Sequence, residues 1–272
     1  LTNGAAAIGL TPSAASSAIK ALETTYKVGL FDRVGRRIEL TRAGRLFHAE
    51  AKRSLAAIKE AEGLLSELGG LRTGQLDIEA SQTIANYWLP MKMLRFRELR
   101  PGISVGFRDG NTASVVQGVI SGRAELGFIE GTVDEPALAV RPLLSDELVV
   151  VMASNARGAA AQSLHDLQWI MREPGSGTRT EFEAALAAIG IESPSLSVVL
   201  TLPTNEAVLN AVRGSSYATA LSRNVVSPLI SHGELVALDD VLPPRQFTIL
   251  RHKERRLSAA ALEFERICGE AD

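Results

Sequence analysis

Two short stretches of this 272-residue chain place small hydroxyl side chains where a strand gives way to a helix, and such a step can bind an anion. The first, IEASQTIANYWLP (Ile78 to Pro90), sets Ser81 and Thr83 at the start of the helix, where free backbone N–H groups and the helix dipole favour negative charge. Serine and threonine also cap helices with no ligand involved, so capping is the plain alternative. The second, REPGSGTRTEFEAAL (Arg172 to Leu186), sets Gly175, Ser176, Gly177 and Thr178 ahead of a helix. Its glycines free the backbone to close on a ligand, or simply make a tight turn. If the two termini belong to different lobes and face each other, they clamp a small anion or carboxylate, and the lobes hinge around it.

A third group suits nucleic acid. Ser13, Ser16, Ser17 and Lys20 lie mostly on one side of a helix, opposite an apolar stripe of Ala15, Ala18, Ile19, Leu22 and Tyr26. Small outward side chains permit close approach to a major groove, while Lys20, Arg33, Arg36 and Arg37 can neutralise phosphates. A helical hairpin packed against another element fits the same pattern. Catalysis has little to stand on: the glycine loop lacks G-x-S-x-G and a P-loop lysine, and His48, His165, His232 and His252 adjoin no serine motif. The expectation is a protein that is not an enzyme, with no cofactor and no metal.

These residues need elements to hold them. A helix tail at Ala5–Gly9 leads to Thr11 as N-cap and Pro12 at the first helical position, opening a helix that Gly29 ends. Arg33 to Leu40 reads as a basic hairpin turning at Gly35. Thr41 then caps a long helix to about Leu68, where Leu55, Ile58, Leu65 and Leu68 repeat at near-heptad spacing, as in a dimerising coiled coil. After Gly74 short strands alternate with helices (75–80, 84–100, 103–108, 114–120, 126–129, then 169–171, 180–189, 196–200, 206–212, 218–221), which predicts a parallel α/β sheet and two similar lobes. An amphipathic helix, 257–268, closes the chain.

Leu1 to Ala51, with AIKALE at 18–23, GLFDR at 29–33 and LTRAG at 40–44, resembles the DNA-binding domain of LysR-type transcriptional regulators without its first helix. The resemblance implies that Thr11, Ser13, Ser16, Ser17 and Lys20 face DNA, with Arg33, Arg36 and Arg37 on a wing. Pro12-Ser13 departs from the Gln-Pro frequent in the family, so an amide able to read adenine is lacking there. Residues 75–272 resemble the family's effector domain, a fold shared with periplasmic binding proteins. GNTASVV (110–116), ELGFIEG (125–131) and REPGSGTR (172–179) draw the match toward the subgroup tied to sulfur assimilation and carbon fixation. Carried over by position, the ligand contacts are Ser81, Gln82, Thr83, Asn111, Glu130, Ser176, Thr178, Thr204, Asn205 and Ser222. Glu130 would repel an anion unless protonated or paired, so a ligand amine, a capped loop or a bond across the lobes are its other uses.

The expected fold is therefore α/β with an α-rich head: a winged helix-turn-helix (1–41), a linker helix (42–70) and a two-lobed effector domain, with lobe I at about 75–152 and 252–272 and lobe II at about 153–251. The expected partners are double-stranded DNA, a small anionic or carboxylate effector, a second copy forming a homodimer or homotetramer, and RNA polymerase as a further candidate; no membrane is expected. Charge agrees, since residues 1–70 carry 10 Lys/Arg against 7 Asp/Glu and residues 71–272 carry 19 against 24. One cysteine, no signal peptide and no long apolar run point to a cytoplasmic protein. A stand-alone solute-binding protein is the alternative, disfavoured by the head and the missing signal peptide.

Overall fold

The structure, a computed structural model, describes residues 4–5, 8–34, 37–68, 73–156, 163–191, 196–238 and 242–270, except the side chains of 34, 37, 56, 59, 60 and 62–68. Two units emerge, Leu1–Ala57 and Ile58–Asp272.

In the first unit, helix α1 (Pro12–Tyr26) begins as the sequence predicts: Thr11 is the N-cap, its Oγ1 accepts from the Ala14 N–H at 3.2 Å, and proline opens the helix. The helix stops earlier than Gly29, because Lys27 turns left-handed at φ 53° and its N–H returns to the Glu23 carbonyl. Strands β1 (Phe31–Val34) and β2 (Arg37–Leu40) pair antiparallel as the hairpin. Glu23 locks the hairpin to α1, its carboxylate accepting from the Leu30 and Phe31 N–H groups at 2.7 and 3.2 Å. Thr41 locks the next helix, α2 (Arg42–Leu68), by donating to the Gly29 carbonyl at 2.8 Å and accepting from the Gly44 N–H at 2.9 Å. A Cβ at Gly44 would run into the Leu30 carbonyl. The AIKALE, GLFDR and LTRAG segments are thus three parts of one joint. The stripe expected to be core is only partly covered: Ala15, Ile19 and Leu22 are half-buried, whereas Ala18 and Tyr26 are exposed.

The second unit has two lobes of matching strand order. Lobe I is a five-stranded sheet ordered β4-β3-β5-β12-β6, from β3 (Gly74–Ser81), β4 (Ile103–Gly110), β5 (Leu126–Glu130), β6 (Leu138–Asp146) and β12 (Arg245–His252). Lobe II follows the order β9-β8-β10-β7-β11, from β7 (Leu148–Ala153), β8 (Gln168–Arg172), β9 (Ser197–Leu202), β10 (Thr219–Ser222) and β11 (Leu235–Ala237), with β8 joined to the chain before β10 by a parallel Trp169–Ala218 bridge. Each sheet holds three parallel strands, then two more of which the inner one runs against its neighbours. The sheets are therefore mixed rather than parallel, because the chain crosses between lobes and returns instead of winding through one sheet.

That crossing also corrects the lobe limits. β7 pairs with β10 and β11 and so belongs to lobe II, and β12 pairs with β5 and β6 and so belongs to lobe I. The outward passage is the single residue Glu147, not the stretch near 153, and the return reaches lobe I at Arg245 rather than 252.

Lobe I buries helices on both faces. Leu76, Ile78 and Ala80 of β3 share a core with helices α3 (Gln82–Tyr87), α4 (Leu89–Leu99) and α9 (Ala259–Cys268), where Phe96 and Phe264 meet edge-on at 5.4 Å between ring centroids. The alternate β3 residues Asp77 and Glu79 are buried as well, beneath helix α5 (Thr112–Ile120); Glu79 takes Arg123 with both oxygens, the Oε2 bond being 2.8 Å. The single helix expected at 84–100 is two, broken at Trp88 (φ −125°, ψ −48°) ahead of Pro90. In lobe II, Val150 and Met152 face Trp169, Phe182 and helix α6 (Gly177–Ala188), whereas Val149 and Val151 face α7 (Asn205–Arg213) and α8 (Arg223–Ser231). Among the described residues no helix is long and apolar enough to cross a membrane.

Candidate functional site

In open α/β sheets, ligands lie beyond the carboxyl ends of the parallel strands. In lobe I those ends carry Ser81 (β3), Glu130 (β5) and, just past β4, Asn111 and Thr112. In lobe II they carry Arg172 (β8), Thr204 shortly after β9, and Ser222 (β10).

The two sets meet. Asn205 donates its backbone N–H to Gln82 Oε1 at 3.1 Å and its Nδ2 to Thr83 Oγ1 at 3.2 Å, while its Oδ1 accepts from Arg172 Nη1. Asn111 Nδ2 donates to Glu173 Oε1 at 3.1 Å, and the Ala113 N–H donates to the Gly175 carbonyl at 3.2 Å. Asn111 also caps α5 through a reciprocal pair with Ser114. Gly175 sits at φ +90°, a conformation that a side chain strains, and this turn aims its carbonyl across the cleft. Gly177 approaches lobe I more closely still: a Cβ there would strike Thr112 Oγ1, and would lie 2.8 Å from Glu130 Oε2 and 3.0 Å from the Glu130 carbonyl.

Charge is concentrated at this seam. Arg172 is buried and reaches Glu173 from Nε at 2.8 Å and from Nη2 at 3.1 Å. Arg245 is buried too, donating Nε to Asp146 Oδ2 at 2.7 Å and Nη1 to Thr178 Oγ1 at 3.1 Å. The half-buried Glu181 carboxyl of α6 packs on Gly131, and burial raises its pKa; Arg245 opposes that rise and Glu130 adds to it. Three buried polar atoms have no hydrogen-bond partner among the described residues: Ser81 Oγ, Thr112 Oγ1 and Arg245 Nη2.

Of the residues named from sequence, Ser81, Gln82, Thr83, Asn111, Glu130, Ser176, Thr178 and Asn205 come together at the seam. Ser81 and Ser176 are N-caps whose side chains make no cap bond, so their hydroxyls are not spent on the helix. The α3 terminus is weaker than a long helix would supply, since α3 has only six residues against twelve in α6. Thr83 and Thr178 are engaged separately, by Asn205 and Arg245. Thr204 caps α7 through the Ala207 N–H at 3.0 Å, and Ser222 caps α8 while donating to Asp146 at 2.7 Å, which ties it to the crossing between lobes. Thr112, Arg172, Glu181 and Arg245 escaped the sequence reading. Thr112 follows Asn111 directly and Arg172 opens the quoted glycine loop, but Arg245 stands in no motif.

In the first unit Thr11, Ser13, Ser16, Ser17 and Lys20 are all exposed along α1, and Arg33 is exposed on β1. Arg36 and the Arg37 side chain lie outside the described residues, as do the Leu65 and Leu68 side chains.

Residues 1–45 match the bacterial regulatory helix-turn-helix protein, lysR family, and residues 69–272 match the LysR substrate binding domain. The chain is 34% identical to the uncharacterized HTH-type transcriptional regulator YeiE of Escherichia coli strain K12, covering 100% of this chain and 92% of that protein. Its fold is that of full-length CbnR complexed with target DNA (TM-score 0.69, 16% identity, 98% of this chain and 92% of that one). It is also that of the Synechocystis PCC6803 CcmR regulatory domain in complex with 2-PG (TM-score 0.64, 24% identity, 72% of this chain and 96% of that one). The chain belongs to the LysR family of bacterial helix-turn-helix transcriptional regulators.

Proposed function

We propose that this regulator binds a small anion between its two lobes and that the anion sets its affinity for DNA. The observation that carries this reading is the pair of buried hydroxyls, Ser81 Oγ and Thr112 Oγ1, which have no partner among the described residues and lie at the strand ends of lobe I. A buried polar group without a partner costs about 1–3 kcal/mol, so a ligand oxygen accepting from both offsets an existing deficit. The first turn of α6, with Ser176 free of capping, adds N–H donors from the other lobe. The neighbour held with 2-PG supports a small-molecule site, and the neighbour held with DNA supports the head's role.

On the DNA side, Ser16 and Ser17 read bases, whereas Lys20 and Arg33 meet phosphate. The chain acts as a homodimer through α2, where Leu55 (62% exposed) and Ile58 (56%), three positions apart, need cover. The test is a thermal-shift titration of the full chain with small anions and carboxylates, repeated with Ser81→Ala and Thr112→Val. A saturable rise in unfolding temperature that both substitutions weaken supports the reading; a rise indifferent to both moves the site elsewhere. For the head, Lys20→Ala and Arg33→Ala should each lower the salt dependence of DNA binding by about one, uniformly across sequences. Ser16 and Ser17 substitutions should instead change sequence preference.

A further inference from the structure

Arg245 stands where the chain returns from lobe II, and its cross-strand partner is Asp146, the last residue before the chain leaves lobe I. Both strands that join the lobes thus meet at one ion pair whose side chains are each 1% exposed. The pair touches both lobes. Asp146 Oδ1 accepts from Ser222 Oγ at 2.7 Å and from Asn224 Nδ2 at 3.1 Å, both at the start of α8. Arg245 Nη1 reaches Thr178 in the first turn of α6, and its guanidinium lies 6.0 Å from the Phe247 ring centroid.

The fork is only partly used, because Nη2 is buried and has no partner among the described residues. A buried guanidinium carries a full charge and a large penalty for any idle donor, so arginine at such a site calls for an acceptor. Among the described residues no atom supplies that acceptor. Thr178 adjoins Gly177, against which Thr112 Oγ1, itself unpartnered, is packed. Arg245 and the idle Thr112 hydroxyl therefore both border the first turn of α6. Glu130 and Glu181 bring negative charge to this corner, so an anion entering it needs a cation fixed in place, and Arg245 is held there by Asp146 and Thr178.

We infer that Arg245 is a ligand-binding residue as well as a hinge residue: its Nη2 donates to the bound anion, while Nε and Nη1 hold the two lobes in register. This rests on the cleft reading above. An anion that takes Nη2 pulls on a side chain bonded to both the crossing strand and α6, so occupancy is felt directly as a change in the angle between lobes.

The experiment titrates the full chain with inorganic phosphate, sulfate and acetate, following unfolding temperature, and repeats it with Arg245→Lys and Ser81→Ala. Lysine keeps the charge beside Asp146 but removes the fork. The expected result is saturable stabilisation by at least one of the anions, with affinity weakened at least ten-fold in Arg245→Lys when compared at a temperature at which both proteins are folded. If Ser81→Ala weakens binding and Arg245→Lys does not, Arg245 has no part in a cleft that stands. If none of the three anions stabilises the protein saturably, the cleft reading and this inference both fall. Should Arg245→Lys not fold, a crystal structure of the wild-type chain with the tightest of the three decides: an anion oxygen within hydrogen-bond distance of Nη2 supports the inference, and an anion bound away from it overturns it.

Discussion

Asn205 of lobe II is bonded to Thr83 of lobe I, Nδ2 to Oγ1 at 3.2 Å, in a place where neither residue is accessible to solvent. The same asparagine accepts from Arg172 and donates its backbone N–H to Gln82, so one side chain and its amide close the seam between the lobes. Asn205→Ala leaves the Arg172 guanidinium and the Thr83 hydroxyl each short of a partner. Its expected cost is about 1–3 kcal/mol, read as a lower urea midpoint, together with a larger radius of gyration in solution scattering. A variant as stable and as compact as the wild type would show that the lobes are held by other bonds.

Gly177 is a glycine for steric reasons, since α6 starts within contact distance of Thr112 and Glu130. Thr112 Oγ1 and Glu130 Oε2 would both have to retreat for a methyl group, which would also press on the Glu130 carbonyl at 3.0 Å. Gly177→Ala should therefore part the lobes without unfolding either of them. We expect anion affinity to fall at least ten-fold while the circular dichroism spectrum is kept, and calorimetry checks it. Undiminished affinity would mean that the ligand does not require this approach.

The strand ends and their hydroxyls were legible because Ser81, Thr83, Ser176 and Thr178 sit beside glycines or at changes of periodicity, which local chemistry dictates. The crossing at Glu147 was not. Leu138 to Ala153 carries no glycine, and its one proline, Pro142, lies within the edge strand β6 where the register shifts against β12. The polar step Ser145-Asp146-Glu147 is all that marks the passage, and such a step does not distinguish a turn within one sheet from a crossing into another. Arg245 was hidden for a related reason: its importance comes from Asp146, 99 residues away, and a single sequence carries no trace of that pairing. The partial cover of the stripe on α1 shows the opposite limit, since periodicity identifies an apolar face and leaves open what packs on it.

Leu55 and Ile58 on α2 are more than half exposed, and an apolar stripe on a long helix is the usual seam of a coiled coil. Replacing both with glutamate puts like charges at that seam. Sedimentation should then show monomers where the wild-type chain associates, and DNA binding should weaken because two half-sites can no longer be engaged together. An unchanged sedimentation profile would place the interface elsewhere.

Glu181 links the cleft to pH. Its carboxyl on α6 packs against Gly131, and burial raises its pKa above the ordinary value of 4.5, with Arg245 at the start of β12 opposing the shift and Glu130 at the end of β5 reinforcing it. Asp146 at the end of β6 joins this set through its ion pair with Arg245. A carboxyl whose pKa is raised by folding binds its proton more tightly in the folded state. Its contribution to stability is therefore fully present below 4.5 and is lost as pH rises through the raised value. Glu181→Gln, which resembles the protonated form at every pH, should match the wild type at about pH 4 and exceed it in unfolding temperature by a margin that grows toward about pH 7. Anion binding should follow the same course: a carboxylate in the corner repels the ligand, so wild-type affinity should decline across this window while that of Glu181→Gln changes less. Parallel pH profiles for the two proteins, in both stability and affinity, would show that Glu181 is solvated in solution and that the seam is open there.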